Sequence, residues 1–283
     1  AAATASDETD GMLFVAIDED GMPTGAVTHA GPSPGRDMLA TTSGFSVLTG
    51  PFDPSGLMHG PVSLAALDAS GHIVSSRPLL SGSPSIEGYG RVAFADGSFL
   101  LTWVARTTCS GCRSLRAQHL SETGDAIAPE ATLHEFDAKS SGVWAIAPSS
   151  EGFVVAWSQQ GPQSVDLVGE AFNADGTALA GSAPFAKLQG INTPALSLGN
   201  APGGDLLAVW ADGIDSAQGK VFVQSVGADG AAEGSATELT SIRPSSEETV
   251  IVIASPAGAM VLYESDIPNY GIEVYALPLR CGS

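Results

Sequence analysis

The sequence predicts an all-β fold made of repeated four-stranded units, and three observations predict it. The first is a run of five apolar residues at 153–157, F-V-V-A-W, bounded by Gly152 and by Ser158-Gln159-Gln160. It is too short for a helix and rich in β-branched and aromatic side chains, which marks a strand buried on both faces. The second is its surroundings: 143–147 and 167–172 read as flanking strands, and Asn173-Ala174-Asp175-Gly176 turns the chain back into Ala178 and Leu179. Asp-Gly is a hairpin signal there, because glycine accepts the positive φ that a tight turn needs. The third is the spacing. Aromatics closing such runs fall at Trp103, Trp157, Trp210 and Tyr263, at intervals of 54, 53 and 53. Turn glycines fall at Gly21, Gly71, Gly124, Gly176 and Gly230, at intervals of 50, 53, 52 and 54, and Gly282 occupies the next expected place. A period of that length, in units made only of strands, predicts a five-bladed β-propeller of four-stranded antiparallel blades.

Taken in order, 12–17 followed by Asp18-Glu19-Asp20-Gly21 aligns with the third strand and turn of the repeat, so the chain starts part way through a blade. Complete copies begin near Met38, Arg91, Val143 and Ala195, with second strands at 45–49, 99–103, 153–157 and 206–210. A last copy supplies three strands, 250–253, 260–263 and 272–277, and stops where a fourth would follow. The expected closure pairs the N- and C-terminal strands, with 12–17 beside 272–277, because a closed ring leaves no free sheet edge. Residues 1–10 are expected to form a flexible tail and 11–283 a single propeller domain. Gly-Pro pieces such as Gly31-Pro32-Ser33-Pro34-Gly35 read as loops within that array.

The stretch G-F-V-V-A-W at 152–157, followed by F-N-A-D-G-T at 172–177, resembles the repeat of secreted bacterial β-propeller proteins. The resemblance covers nearly everything after Asp10. It implies the fold; such proteins serve as lectins, adhesive modules, scaffolds and enzymes, so it implies no single activity. The first copy departs from the pattern, with Thr49 where the others carry an aromatic.

Composition narrows the partners. Eleven Lys and Arg against 31 Asp and Glu give a formal charge of −20. That charge repels nucleic acid and an anionic membrane surface. No apolar run approaches the roughly 18 residues that span a bilayer. The first residues, Ala1-Ala2-Ala3-Thr4, are consistent with a mature end left after export, so the expected location is secreted, at the cell surface or in the periplasm. Cys109 and Cys112, in C-S-G-C between two strands, are disulfide candidates, and Cys281 is left over. A redox C-x-x-C would open a helix, and the haem signature would need His where Arg113 stands. No cofactor and no metal centre is expected. His119 and His134 fall on neighbouring strands but read as incidental.

Two patterns bear on ligands. The aromatics Trp103, Trp157, Trp210 and Tyr263 could be sugar-stacking platforms, one per blade, yet their place in buried strands favours packing between blades; Trp144 reads as core as well. Residues ahead of the inner strands, Asp37, Glu87, Asp137, Asn192 and Glu247, recur at intervals of 50, 50, 55 and 55 and would gather at the rim of the central channel. Two carboxylates about 5 to 10 Å apart there would suit glycoside hydrolysis, whereas solvated acids would suit ligand binding. No nucleophile motif of the G-x-S-x-G kind is present, and no catalytic residue is assigned. The expected function is an exported binding or interaction module for a glycan or a surface protein, not an enzyme. The alternatives are a five-bladed carbohydrate-active enzyme working from the channel, and a structural subunit of a surface assembly. The ligand and the oligomeric state stay unspecified.

Overall fold

The computed structural model describes residues 2–7, 11–16, 28–31, 35–41, 44–49, 62–68, 70–79, 91–95, 97–107, 112–136, 143–161, 164–173, 175–179, 181–189, 195–201, 204–212, 219–242, 250–255, 258–267 and 271–279. They contain 22 β-strands in six antiparallel sheets. The chain divides into two compact units, Ala1–Glu135 and Phe136–Ser283.

In the first unit, β1 (Ala2–Asp7), β2 (Gly11–Ala16) and β3 (Thr28–Gly31) form a three-stranded sheet. It is followed by β4 (Gly35–Thr41), β5 (Gly44–Thr49), β6 (Ser63–Leu67) and β7 (Ile73–Pro78) in chain order. The third sheet is β8 (Arg91–Ala95), β9 (Ser98–Arg106), β10 (Arg113–Ser121) and β11 (Ala131–Phe136). In the second unit come β12 (Trp144–Ser149), β13 (Gly152–Gln160), β14 (Ser164–Asn173) and β15 (Ala183–Gln189). Next are β16 (Ala195–Asn200), β17 (Leu206–Asp212), β18 (Gly219–Val226) and β19 (Ala232–Ile242). A three-stranded sheet of β20 (Val250–Ser255), β21 (Gly258–Ile267) and β22 (Gly271–Leu279) ends the unit.

Two expectations are corrected. The described sheets number six, not five, because Ala2–Asp7 is not a free tail: it is β1, in unbroken register with β2 from Ala2 opposite Ala16 to Asp7 opposite Gly11. Strand β2, read as a third strand that would meet the C-terminal segment, has β1 on one edge and β3 on the other. A strand with both edges hydrogen-bonded has no row of donors and acceptors left for another partner. The expected closing pair of 12–17 with 272–277 is therefore not formed.

The repeated turn is built as its sequence implies. Asn173 Oδ1 accepts from the backbone N–H of Asp175 at 3.1 Å and of Thr177 at 3.0 Å, and Gly176 N–H donates to the Asn173 carbonyl at 2.9 Å. Asp68 makes the same contacts with Ser70 and His72 at 2.9 and 3.0 Å. Gly71, Gly124, Gly176 and Gly230 all have φ of 82 or 83°, a conformation that costs other residues a clash with Cβ. Each turn joins the third strand of its sheet to the fourth.

Packing follows from the two-residue period of the strands. On one face of the sheet β12–β15, Ala145, Val154, Ala156, Leu167 and Phe185 meet Leu196, Leu198, Ala208 and Trp210 of the next sheet. The other face of that next sheet, with Val209, Ala211 and Val221, meets Val252, Val261 and Tyr263. Strand β13 is buried at every position from Gly152 to Ser158, which is why 153–157 is uninterruptedly apolar. In the first unit Leu48 and Leu64 pack with Phe99, Leu101 and Trp103 in the same manner.

A polar clasp joins β7 to the turn after β10: Arg77 donates to Asp125 and to the Thr123 carbonyl. The Arg77 guanidinium, with the Thr123 hydroxyl, holds the Asp125 carboxyl below its ordinary value. A depressed carboxyl pKa contributes stability above the ordinary carboxylate range, lost as pH falls through the folded value. Asp125→Asn is expected to lower the unfolding midpoint slightly near pH 7, and the gap to the wild type is expected to narrow as pH falls below the ordinary carboxylate range; a series of thermal melts from neutral to acid pH checks this.

Candidate functional site

Asp37 lies in β4, the first strand of its sheet, opposite Leu48, with a register shift between Gly35 and Asp37. Glu87, Asp137, Asn192 and Glu247 lie outside the described residues. In the sequence they precede β8, β12, β16 and β20, each likewise the first strand of a sheet. Within the first unit β4 neighbours β8, and within the second β12 neighbours β16, which neighbours β20. Side chains tie the latter three together: Asn200 Nδ2 donates to the Pro148 carbonyl at 3.0 Å, and Val252 N–H donates to Ser197 Oγ at 3.2 Å. Neighbouring first strands belong to successive sheets, and packed sheets stand about 10 Å apart.

The aromatic series is packing. Trp103, Trp157 and Trp210 are at most 2% exposed and Tyr263 is 9% exposed, each in the second strand of its sheet. Trp210 stacks on Phe222, with centroids 5.6 Å apart, and meets the edge of Phe185 at 6.1 Å. Tyr263 stacks on Tyr275 at 5.3 Å. Trp144 is buried as well.

Cys112 is disulfide-bonded, and its carbonyl accepts from the Thr107 N–H at 3.1 Å. Cys109 and Cys281 lie outside the described residues. His119 is buried in β10, and His134 is half-buried in β11, where desolvation pushes the imidazole pKa down and neighbouring Glu135 opposes that. Burial pushes the Glu170 carboxyl on β14 up. Among the described residues no group of three His, Cys, Asp or Glu side chains is placed to hold a metal ion, and no helix is long and apolar enough to cross a membrane.

One feature of the second unit was not legible in the sequence: a cleft lined by β15, β17, β18 and β19, with Gln224 in its lining. A lone glutamine between Val223 and Ser225 in an apolar strand reads as a solvent-facing position. The nearest signal was Gly234, an isolated glycine in a strand, which marks a bulge.

No family model matches the chain, and no curated protein matches it. Solved structures do, through the fold. The endo-arabinase of Bacteroides thetaiotaomicron is similar with a TM-score of 0.53 at 10% identity, over 87% of this chain and 93% of that one. The alpha-L-arabinofuranosidase of Lactobacillus brevis gives 0.51 at 10% identity, over 85% and 89%. A calcium-binding protein, regucalcin, from Agrobacterium tumefaciens gives 0.53 at 16% identity, over 95% and 82%. The expectation that a binding or interaction module should be placed ahead of an enzyme is overturned by these likenesses, two of which are to carbohydrate-cleaving enzymes. The fold they share with this chain is of the β-propeller type.

Proposed function

We propose that this chain hydrolyses glycosidic bonds in a polysaccharide, with arabinose-containing chains as the first substrate class. The observation that carries this reading is the recurrence of Asp37, Glu87, Asp137 and Glu247 at or just ahead of the first strands of their sheets, on a fold shared with an endo-arabinase and an arabinofuranosidase. Two of these acids act as the pair that such hydrolysis needs. One, protonated, donates to the leaving oxygen; the other, ionised, activates water or attacks the anomeric carbon. Asn192 donates a hydrogen bond to a sugar hydroxyl at the same rim. Within this proposal the protein works outside the cytoplasm, and Cys109 pairs with Cys112.

The test is release of reducing ends from a panel of polysaccharides, arabinan first, by the purified chain between about pH 5 and 8. The expected result is product that grows with time and with protein concentration on at least one substrate. A flat response on every polysaccharide, from protein that melts cooperatively, overturns the reading.

A further inference from the structure

We infer that the cleft between the sheet β12–β15 and the sheet β16–β19 is a second, non-catalytic site that holds a saccharide ring. The inference does not rest on hydrolysis elsewhere in the chain. The cleft has a volume of about 360 Å³ and is lined by Phe185 and Lys187 of β15, Trp210 of β17, Phe222 and Gln224 of β18, and Ser235 of β19. That volume is at the small end for ligand pockets and suits one or two sugar rings.

Two lining residues carry buried polar atoms with no partner. Gln224 is 5% exposed, and its Nε2 donates to the Gly234 carbonyl at 3.1 Å. Only the amide nitrogen can face a carbonyl, so that bond fixes the side-chain orientation and leaves Oε1 as a buried acceptor without a donor. Trp210 Nε1 is a buried donor without an acceptor. Most buried polar atoms in folded proteins are satisfied, so the orphan acceptor of Gln224 asks for a ligand donor; the orphan indole N–H recurs at Trp103 and Trp157 and belongs to the repeat. A hydroxyl is such a donor, and a sugar presents several on a rigid ring.

The remaining lining agrees with that chemistry. Phe222, half-buried and backed by its stack on Trp210, supplies an apolar platform for a sugar face. Ser235 is exposed at the lip, and Lys187 and Asp212 add a donor and an acceptor. The lip is a bulge: Val223 pairs with Thr237 and Ser225 with Glu233, so Gly234, Ser235 and Ala236 have no partners in β18, and Gly234 has a φ of 76°. Bulges of this kind re-aim side chains beside ligand sites. Asp212 is the one carboxylate of the lining, so the cleft lacks the pair that cleavage requires.

The experiment is saturation-transfer NMR and calorimetry with a panel of monosaccharides, which no glycosidase can shorten. Ala236→Trp, at an exposed lining position, fills the cleft, and Gln224→Met removes the orphan acceptor at similar volume. At least one sugar is expected to bind the wild-type chain. Ala236→Trp is expected to abolish that signal with an unchanged melting temperature, and Gln224→Met to weaken binding about tenfold, the worth of one hydrogen bond. Absence of binding by any sugar up to about 50 mM overturns the inference. So does binding that survives Ala236→Trp, since the sugar would then sit elsewhere. Neither outcome depends on whether the chain cleaves a polysaccharide.

Discussion

Among Asp37→Asn, Glu87→Gln, Asp137→Asn and Glu247→Gln, two substitutions are expected to cut hydrolysis by about 10²- to 10⁴-fold and two to change it only severalfold. The asymmetry follows from the chemistry: one glycosidic bond is flanked by one acid and one base or nucleophile, and further carboxylates at the rim only shape the field around them. An amide keeps the volume and the hydrogen-bonding outline of the acid but cannot give or take the proton. The loss therefore appears in the turnover number, while the melting temperature stays within a degree or so. Retention of near wild-type rates by all four variants would place the chemistry elsewhere.

Gly169→Ala is expected to destabilise the second unit by about 3 kcal/mol, at the upper end of overpacking costs. A Cβ at Gly169 would stand 2.3 Å from the Gly230 carbonyl oxygen and 3.2 Å from its carbon. Both obstacles are backbone, so neither can swing aside as a side chain would. The contact brings β14 of one sheet against the β18–β19 turn of the next, so relief requires the two sheets to part and disturbs the apolar seam of Ala156, Leu167, Ala208 and Trp210. At roughly 2 to 4 °C per kcal/mol, the melting midpoint falls by about 10 °C. Gly181→Ala is the control, because a Cβ there meets nothing within 4 Å. Equal midpoints for the two variants would show that the sheets do not meet where described.

How much of this was legible in the sequence differs by element. Gly71, Gly124, Gly176 and Gly230 announced their turns because positive φ is a local requirement that few residues meet. The second strands announced themselves because burial on both faces leaves no room for a polar residue in 153–157. Strand β1 did not. A-A-T-A-S-D has no apolar run, and its strand conformation comes from its register with β2, a partner no local pattern names. Missing it turned six sheets into five and made β2 look like a strand with a free edge.

The site divides in the same way. The spacing of Asp37, Glu87, Asp137, Asn192 and Glu247 is a sequence property, and the sheet order adds that each belongs at or ahead of a first strand. Gln224 was hidden, since its burial depends on a neighbouring sheet and its orientation on the carbonyl of a bulge ten residues away. The four aromatics were correctly read as packing because strand and position already excluded them from solvent.

The most direct measurement is proton NMR of the anomeric signals of a defined arabino-oligosaccharide mixed with the purified chain. The account predicts that one product anomer appears first, at a rate proportional to protein, and then equilibrates with the other as the free sugar mutarotates. An oligosaccharide whose signals broaden with added protein but keep their full intensity would be bound without being cleaved, and would contradict it.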